Sequence, residues 1–126
     1  KAARALKRAD MLPDIVLSSP LVRAKQTADE FCDTASISGA ITQSWLACGM
    51  SPETALKELA GFSEFESVMI VGHEPDFSGL VECLLGISSG SVKMKKGGMA
   101  CIRIHPPARH GTLRWLIPPK LAEDVD

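Results

Sequence analysis

Arg23 and His73 combine reactive side chains with positions that suggest a function. Arg23 follows Ser19 and Pro20, which are favourable residues for the cap and first position of a helix, so we place it in the first helical turn. A cation at the positive end of a helix dipole costs up to about 1 kcal/mol. An anion bound at that end would offset this cost, because free N–H groups and a guanidinium would bind it together. A solvated arginine that points away from the dipole is the alternative interpretation.

His73 comes directly after the apolar run Val68–Val71 and Gly72, and before a segment with helical periodicity. In open α/β sheets, ligands bind just beyond the carboxyl ends of the strands. Glycine leaves room for a close approach of the backbone. A turn histidine with an ordinary hydrogen bond is the alternative interpretation. Because Arg23 and His73 each follow an apolar strand and precede a helix, parallel strands would bring them to one sheet edge as a phosphate site.

The segments that must position these residues alternate between strand and helix, which predicts an α/β layer fold. The predicted elements are a helix over 1–9, a strand over 14–18, a helix from 19 to about 32, a short strand near 41, a helix over 51–61, a strand over 68–71 and a helix over 76–85. Asp76 is predicted to cap the last of these helices. Beyond Gly98, apolar residues recur at every second position, which predicts an antiparallel hairpin that closes the sheet.

Composition limits the classes of protein to which the chain can belong. Its 126 residues are 45% apolar, enough for the core of one domain and too few for two. With 14 basic and 15 acidic residues, the net charge of −1 gives no general attraction to nucleic acid or to an anionic membrane. The four cysteines form no C-x-x-C pair, so we expect reduced, structural cysteines in a cytoplasmic protein. No metal or organic cofactor is implied.

Two segments of the chain carry a resemblance to a known family. Residues 18–28, SSPLVRAKQTA, resemble the SSP-x-x-R-A-x-Q-T-A segment of the histidine phosphatase superfamily, and residues 71–75, VGHEP, resemble its second-histidine segment. Their separation, and the stretch from Lys93 onward, are similar to the SixA-like branch of phosphohistidine phosphatases. The resemblance implies a phosphoglycerate mutase-like fold without the large cap domain. That fold is a three-layer sandwich with a mostly parallel central sheet between helices and a C-terminal antiparallel hairpin.

The resemblance also implies an activity and a site. Members of the family form a phosphohistidine intermediate on a histidine nucleophile, and water then hydrolyses it. By motif match, Arg23 and His73 are catalytic residues that bind the phosphoryl oxygens, and Glu74 is a further candidate for substrate contact. The implied substrate is phosphohistidine on a histidine phosphotransfer domain of a signalling protein. Small phosphorylated metabolites are the alternative substrate, and a non-catalytic phosphate-binding module is the alternative function.

One part of the family pattern is absent from the sequence, namely the first strand with its R-H-G or R-H-A motif. Arg109-His110-Gly111 has the letters of this motif, but it follows two prolines in a loop and does not end a buried strand. We therefore expect residues 1–126 to form a single histidine phosphatase-like domain that lacks its first strand and part of its first helix. A strand-plus-helix unit of this kind takes roughly 30 to 40 residues, and its loss would leave unpaired sheet edges.

Overall fold

The computed structural model describes residues 2–120, and every predicted helix and strand is present in it. Its elements are α1 (Ala2–Arg8), β1 (Ile15–Ser18), α2 (Val22–Ala35), β2 (Ile41–Thr42), α3 (Pro52–Leu59), β3 (Val68–Val71), α4 (Asp76–Leu85), β4 (Met99–Ile104) and β5 (Gly111–Ile117). Short 3₁₀ turns precede and follow α3, at Ser44–Leu46 and Ala60–Phe62. The alternation of strand and helix confirms the predicted α/β fold.

The central sheet contains three parallel strands in the order β2-β1-β3. In its register, Leu17 of β1 pairs with Ile41 on one side and with Ile70 on the other. Ser18, the last residue of β1, pairs with Val71, the last residue of β3. The carboxyl ends of these two strands therefore lie side by side at one edge of the sheet.

The sheet has helices on both faces, which makes three layers. Val16 is 1% exposed and Leu17 is 0% exposed, and because strand side chains alternate they enter opposite hydrophobic clusters. The cluster around Leu17 contains side chains from α3 and α4, and the cluster around Val16 contains side chains from α1 and α2. Between residues 2 and 120, no helix combines the length and the apolar composition needed to cross a bilayer.

β3 is less buried than its apolar sequence suggests. All four of its residues, Val68–Val71, are only partly buried. β3 pairs with β1 along one edge, and no strand of residues 2–120 pairs with its other edge. β3 thus has the apolar sequence of an interior strand, but within residues 2–120 it is an edge strand of its sheet.

The predicted hairpin is present as β4 and β5, but it does not close the sheet. The two strands pair antiparallel from Met99 opposite Ile117 to Ile104 opposite Gly111, with a bulge between Cys101 and Ile102. They form a separate two-stranded sheet, because β4 has no hydrogen-bonded partner on its other edge within residues 2–120. The expectation of one continuous sheet was wrong for the described part of the chain.

The hairpin nevertheless contributes to both hydrophobic clusters. Ile102 and Ile104 pack against the cluster around Leu17. Met99 and Trp115 pack against the cluster around Val16. The hairpin therefore occupies the same layer as the sheet, as further strands of that sheet would, although it is not hydrogen-bonded to β3.

The four cysteines are unpaired, in agreement with the expectation of reduced thiols. Cys32 is buried in α2, and burial is the main cause that raises the pKa of its thiol above the ordinary value. Cys48, in contrast, is exposed, so the expectation that all four serve as structural residues fails to account for it.

Candidate functional site

The candidate site lies where β1 and β3 end. The backbone N–H of Ser19 donates to the carbonyl oxygen of Val71 at 2.9 Å, so the sheet pairing extends one residue into the turn after β1. The turn from Ser19 to Leu21 leads into α2, and the turn from Gly72 to Pro75 leads into α4. The two strand-to-helix turns therefore start side by side, as the parallel arrangement predicts.

His73 is held against the turn that leads into α2. Its ring Nε2 lies 2.7 Å from the hydroxyl oxygen of Ser19, which is 0% exposed. Its backbone carbonyl accepts a hydrogen bond from the N–H of Phe77 at 3.1 Å, at the start of α4. The imidazole is therefore fixed at the sheet edge between the two helices and remains partly exposed to solvent.

Gly72 is required by the close packing of the turn before His73. A Cβ atom at this position would lie 2.9 Å from Cζ of Phe77 and 3.3 Å from the carbonyl oxygen of Leu46. A contact of 2.9 Å is closer than real Cβ atoms come to other heavy atoms. The close approach inferred from the sequence is therefore confirmed, and Phe77 and Leu46 are the groups approached.

Arg23 occupies the first turn of α2, as the sequence predicts, although the helix starts later than expected. α2 begins at Val22, and its N-cap residue Leu21 makes no capping bond through its side chain. Arg23 is exposed, and its guanidinium has no hydrogen-bond or ion-pair partner among residues 2–120. An exposed guanidinium beside the free N–H groups of a helix start is an arrangement suited to an anion.

Glu74 is exposed in the turn before α4, and its carboxylate is bound to the first turn of that helix. One carboxylate oxygen accepts the backbone N–H of Ser78 at 2.8 Å, and the other accepts the Ser78 hydroxyl at 2.5 Å. The Ser78 hydroxyl oxygen in turn accepts the N–H of Met94 at 3.0 Å. Glu74 thus anchors α4 and the segment before β4. Sequence analysis missed this role, because Glu74 stands four residues before Ser78 and does not fit the three-residue spacing of a capping box.

Asp76 does not cap α4, so that prediction was wrong. The N-cap position is Pro75, and Asp76 is the first helical residue. Its carboxylate instead accepts the N–H groups of Gly49 and Met50 at 2.8 and 3.1 Å. This carboxylate binds backbone N–H groups of the loop before α3 in place of those of its own helix. It therefore joins α4 to that loop.

The remaining histidines lie elsewhere. His105 and His110 are both exposed at the two ends of the loop between β4 and β5. Arg109, in the R-H-G triplet, donates to a Glu53 carboxylate oxygen of α3 at 2.8 Å. The triplet therefore runs from an exposed loop into the first residue of β5, and it does not end a buried strand.

The residues at the sheet edge suit a tetrahedral oxyanion better than a metal ion. Residues 2–120 contain no group of three or more His, Cys, Asp and Glu side chains placed to hold a metal. A guanidinium, an imidazole and the first N–H groups of a helix are all hydrogen-bond donors to anionic oxygen. Arg23 and His73 can donate hydrogen bonds to an anionic oxygen, whereas the neighbouring carboxylates of Glu74 and Asp76 already accept backbone N–H groups.

Comparison with known proteins gives matches among solved structures. No protein-family model matches the chain, and no curated protein matches it. The structure of the protein histidine phosphatase SixA complexed with tungstate matches with a TM-score of 0.81 and 24% identity, covering 95% of this chain and 78% of that chain.

A second match is a crystal structure assigned as the phosphohistidine phosphatase SixA from Agrobacterium tumefaciens. It has a TM-score of 0.60 and 27% identity over 68% of this chain, which spans 55% of the length of that protein. The chain therefore has the fold of the SixA phosphohistidine phosphatases, and its resemblance to the SixA-like branch of the histidine phosphatase superfamily is confirmed.

Proposed function

We propose that this chain forms the phosphoryl-binding part of a phosphatase that acts on phosphohistidine of a signalling phosphotransfer protein. The observation that carries the proposal is the contact of 2.7 Å between His73 and Ser19. It joins the turn after β3 to the turn that leads into α2, and Arg23 lies in the first turn of that helix. SixA proteins with the same fold are named for activity on phosphohistidine, and one of them binds tungstate, a tetrahedral oxyanion like phosphate.

In this proposal the residues of the chain act through charge and position. The planar guanidinium of Arg23 binds two phosphoryl oxygens, and the imidazole of His73 donates a hydrogen bond to a third. Negative charge on these equatorial oxygens is what a phosphoryl-transfer site must stabilise, and preorganised donors do so without reorganisation during the reaction. The imidazole of a phosphohistidine substrate leaves more readily than an alkoxide, so the reaction has less need of a general acid.

The nucleophilic histidine implied by the family resemblance requires a residue beyond those placed at this edge. We propose that it lies on one further strand, inserted between β3 and β4. Both of those strands have an edge without a partner within residues 2–120, and the hairpin already packs in the layer of the sheet. An apolar groove of about 420 Å³ lies between the α1 region and the hairpin, lined by Leu6 and Met11 on one side and by Met99 and Trp115 on the other. Such a strand would join the two sheets into one.

The phosphoryl-binding role of Arg23 is tested by Arg23→Ala in the protein that contains the proposed strand. We expect kcat/KM to fall by about 10²- to 10³-fold, the loss that follows removal of one donor to a developing oxyanion. Arg114→Ala is the matched control, because Arg114 is also an exposed arginine but lies on β5. An unchanged kcat/KM in Arg23→Ala would refute the assignment.

The substrate class is tested by comparing turnover of a phosphorylated histidine phosphotransfer domain with turnover of small phosphate esters. A higher kcat/KM for the phosphorylated domain supports the proposal, whereas a preference for small esters favours a metabolite phosphomonoesterase.

Mapping of the acid-labile phosphoryl group by mass spectrometry tests the proposed nucleophile. Covalent phosphate on His73, His105 or His110 would contradict a nucleophile on an additional strand.

A further inference from the structure

Ser19 is held more firmly than a residue that only starts a helix. Its side chain is 0% exposed, and its backbone N–H donates to Val71 at 2.9 Å. Its backbone carbonyl accepts the Ser18 hydroxyl at 2.9 Å. Its own hydroxyl oxygen accepts the N–H of Leu21 at 3.2 Å and lies 2.7 Å from Nε2 of His73. Four hydrogen-bonded contacts, two through its backbone and two through its hydroxyl, therefore fix the position of Ser19.

A serine within 2.7 Å of an imidazole is also the geometry of an activated nucleophile. A nucleophile must reach the substrate, however, and Ser19 is completely buried. One lone pair of its oxygen is already used by the N–H of Leu21. The contact therefore serves the imidazole of His73 and not the hydroxyl of Ser19.

The direction of this hydrogen bond follows from counting donors and acceptors. A serine hydroxyl has one hydrogen and two lone pairs, and Leu21 uses one of the lone pairs. A buried hydroxyl hydrogen needs an acceptor, and the one acceptor in contact with it among residues 2–120 is Nε2 of His73. If Nε2 accepts this hydrogen, the proton of the neutral imidazole must be on Nδ1.

We infer that Ser19 is a positioning residue that fixes the tautomer of neutral His73, so that Nδ1 carries the N–H offered to the phosphoryl group. The tautomer itself follows from the contacts of Ser19, whereas its use rests on the proposed function. Without the Ser19 hydroxyl, the tautomer with the proton on Nε2 becomes accessible. Nδ1 would then present a lone pair to an anionic oxygen, and the hydrogen bond would be replaced by repulsion.

The tautomer is tested by NMR on the chain labelled with ¹⁵N-histidine, at a pH where the spectrum shows His73 to be neutral. We expect a protonated Nδ1 and an unprotonated Nε2 in the wild type. Ser19→Ala should give a mixture of tautomers, and Ser19→Thr, which keeps the hydroxyl, should restore the wild-type pattern. Ser18→Ala is the matched control, because Ser18 is equally buried but its hydroxyl bonds to the backbone. A protonated Nε2 in the neutral wild type would overturn the inference, whether or not the variants fold.

The use of the tautomer is tested by titration of the same proteins with inorganic phosphate. The hydrogen bond from Nδ1 of His73 to the charged phosphate stabilises the complex. Ser19→Ala should therefore bind phosphate about 10-fold more weakly than Ser18→Ala. Equal affinities, together with a changed tautomer, would overturn the link between Ser19 and phosphate. If the wild type does not bind phosphate at all, the proposed function fails, and the NMR result still decides the tautomer.

Discussion

The side chains of Arg23 and His73 depend on small residues that hold their turns in place. Arg23 and His73 were predicted from side-chain chemistry and their position after apolar strands. The structure places His73 at the edge where β1 and β3 end, and Arg23 in the first turn of α2, the helix that follows β1. Ser19 and Gly72 are what bring these turns together, one through its hydroxyl and the other through its lack of a side chain. Substitutions of these small residues should therefore also disturb the site.

Gly72→Ala should destabilise the protein and displace His73. The new Cβ would lie 2.9 Å from the ring of Phe77, and relieving such overpacking costs about 1–3 kcal/mol. The free energy of unfolding, measured by urea denaturation, should fall by this amount. Gly79→Ala is the matched control with the opposite sign, because a Cβ at this position in α4 meets no atom within 4 Å. Alanine there should stabilise α4 by about 0.5–1 kcal/mol. Equal effects of the two substitutions would contradict the packing argument.

At the scale of helices and strands, the sequence predicts where elements lie better than what their end residues bind. Ser51 was predicted to start a helix with Pro52, and its hydroxyl oxygen accepts the N–H of Thr54 as a cap should. Ser19 and Asp76 looked equally suitable as caps, but their side chains bind partners from distant parts of the sequence, His73 and the Gly49 loop. A local pattern cannot reveal a competing partner that only the folded chain brings near. Ser19 and Asp76, the two residues that depart from this prediction, are also residues that connect one element to another.

Asp76→Ala should destabilise the protein more than the loss of a surface carboxylate does. The Asp76 carboxylate accepts two backbone N–H groups, at 2.8 and 3.1 Å, and so holds the loop before α3 against α4. Hydrogen bonds to a charged group contribute about 1.5–3 kcal/mol, so we expect a loss in this range in the free energy of unfolding. Asp29→Ala is the control, because Asp29 forms an exposed ion pair with Lys25 at 3.2 Å, worth about 0.5 kcal/mol or less. Similar losses in the two variants would show that the Asp76 contacts do not stabilise the fold.

At the scale of the whole molecule, the fold class was predictable and the continuity of the sheet was not. The apolar runs at β1 and β3 and the alternation in the hairpin indicate strands, because these patterns are local. Whether strands pair depends on which neighbour stands between them. β3 has the sequence of an interior strand but is partly exposed, and the hairpin packs in both hydrophobic layers without bonding to it. The strand that we propose between β3 and β4 would account for both departures.

Hydrogen exchange of the β3 amides tests this explanation. The carbonyl of Val71 accepts the N–H of Ser19, so the polar groups of Val71 face β1. Backbone groups alternate in direction along a strand, so those of Met69 also face β1, whereas those of Ile70 face the open edge. In the 126-residue chain, the amide of Met69 should therefore exchange at least about 10-fold more slowly than that of Ile70. In a protein that contains the proposed strand, Ile70 should become as protected as Met69. Equal protection of the two amides in the 126-residue chain would show that this edge is already covered, and no strand could then be inserted there.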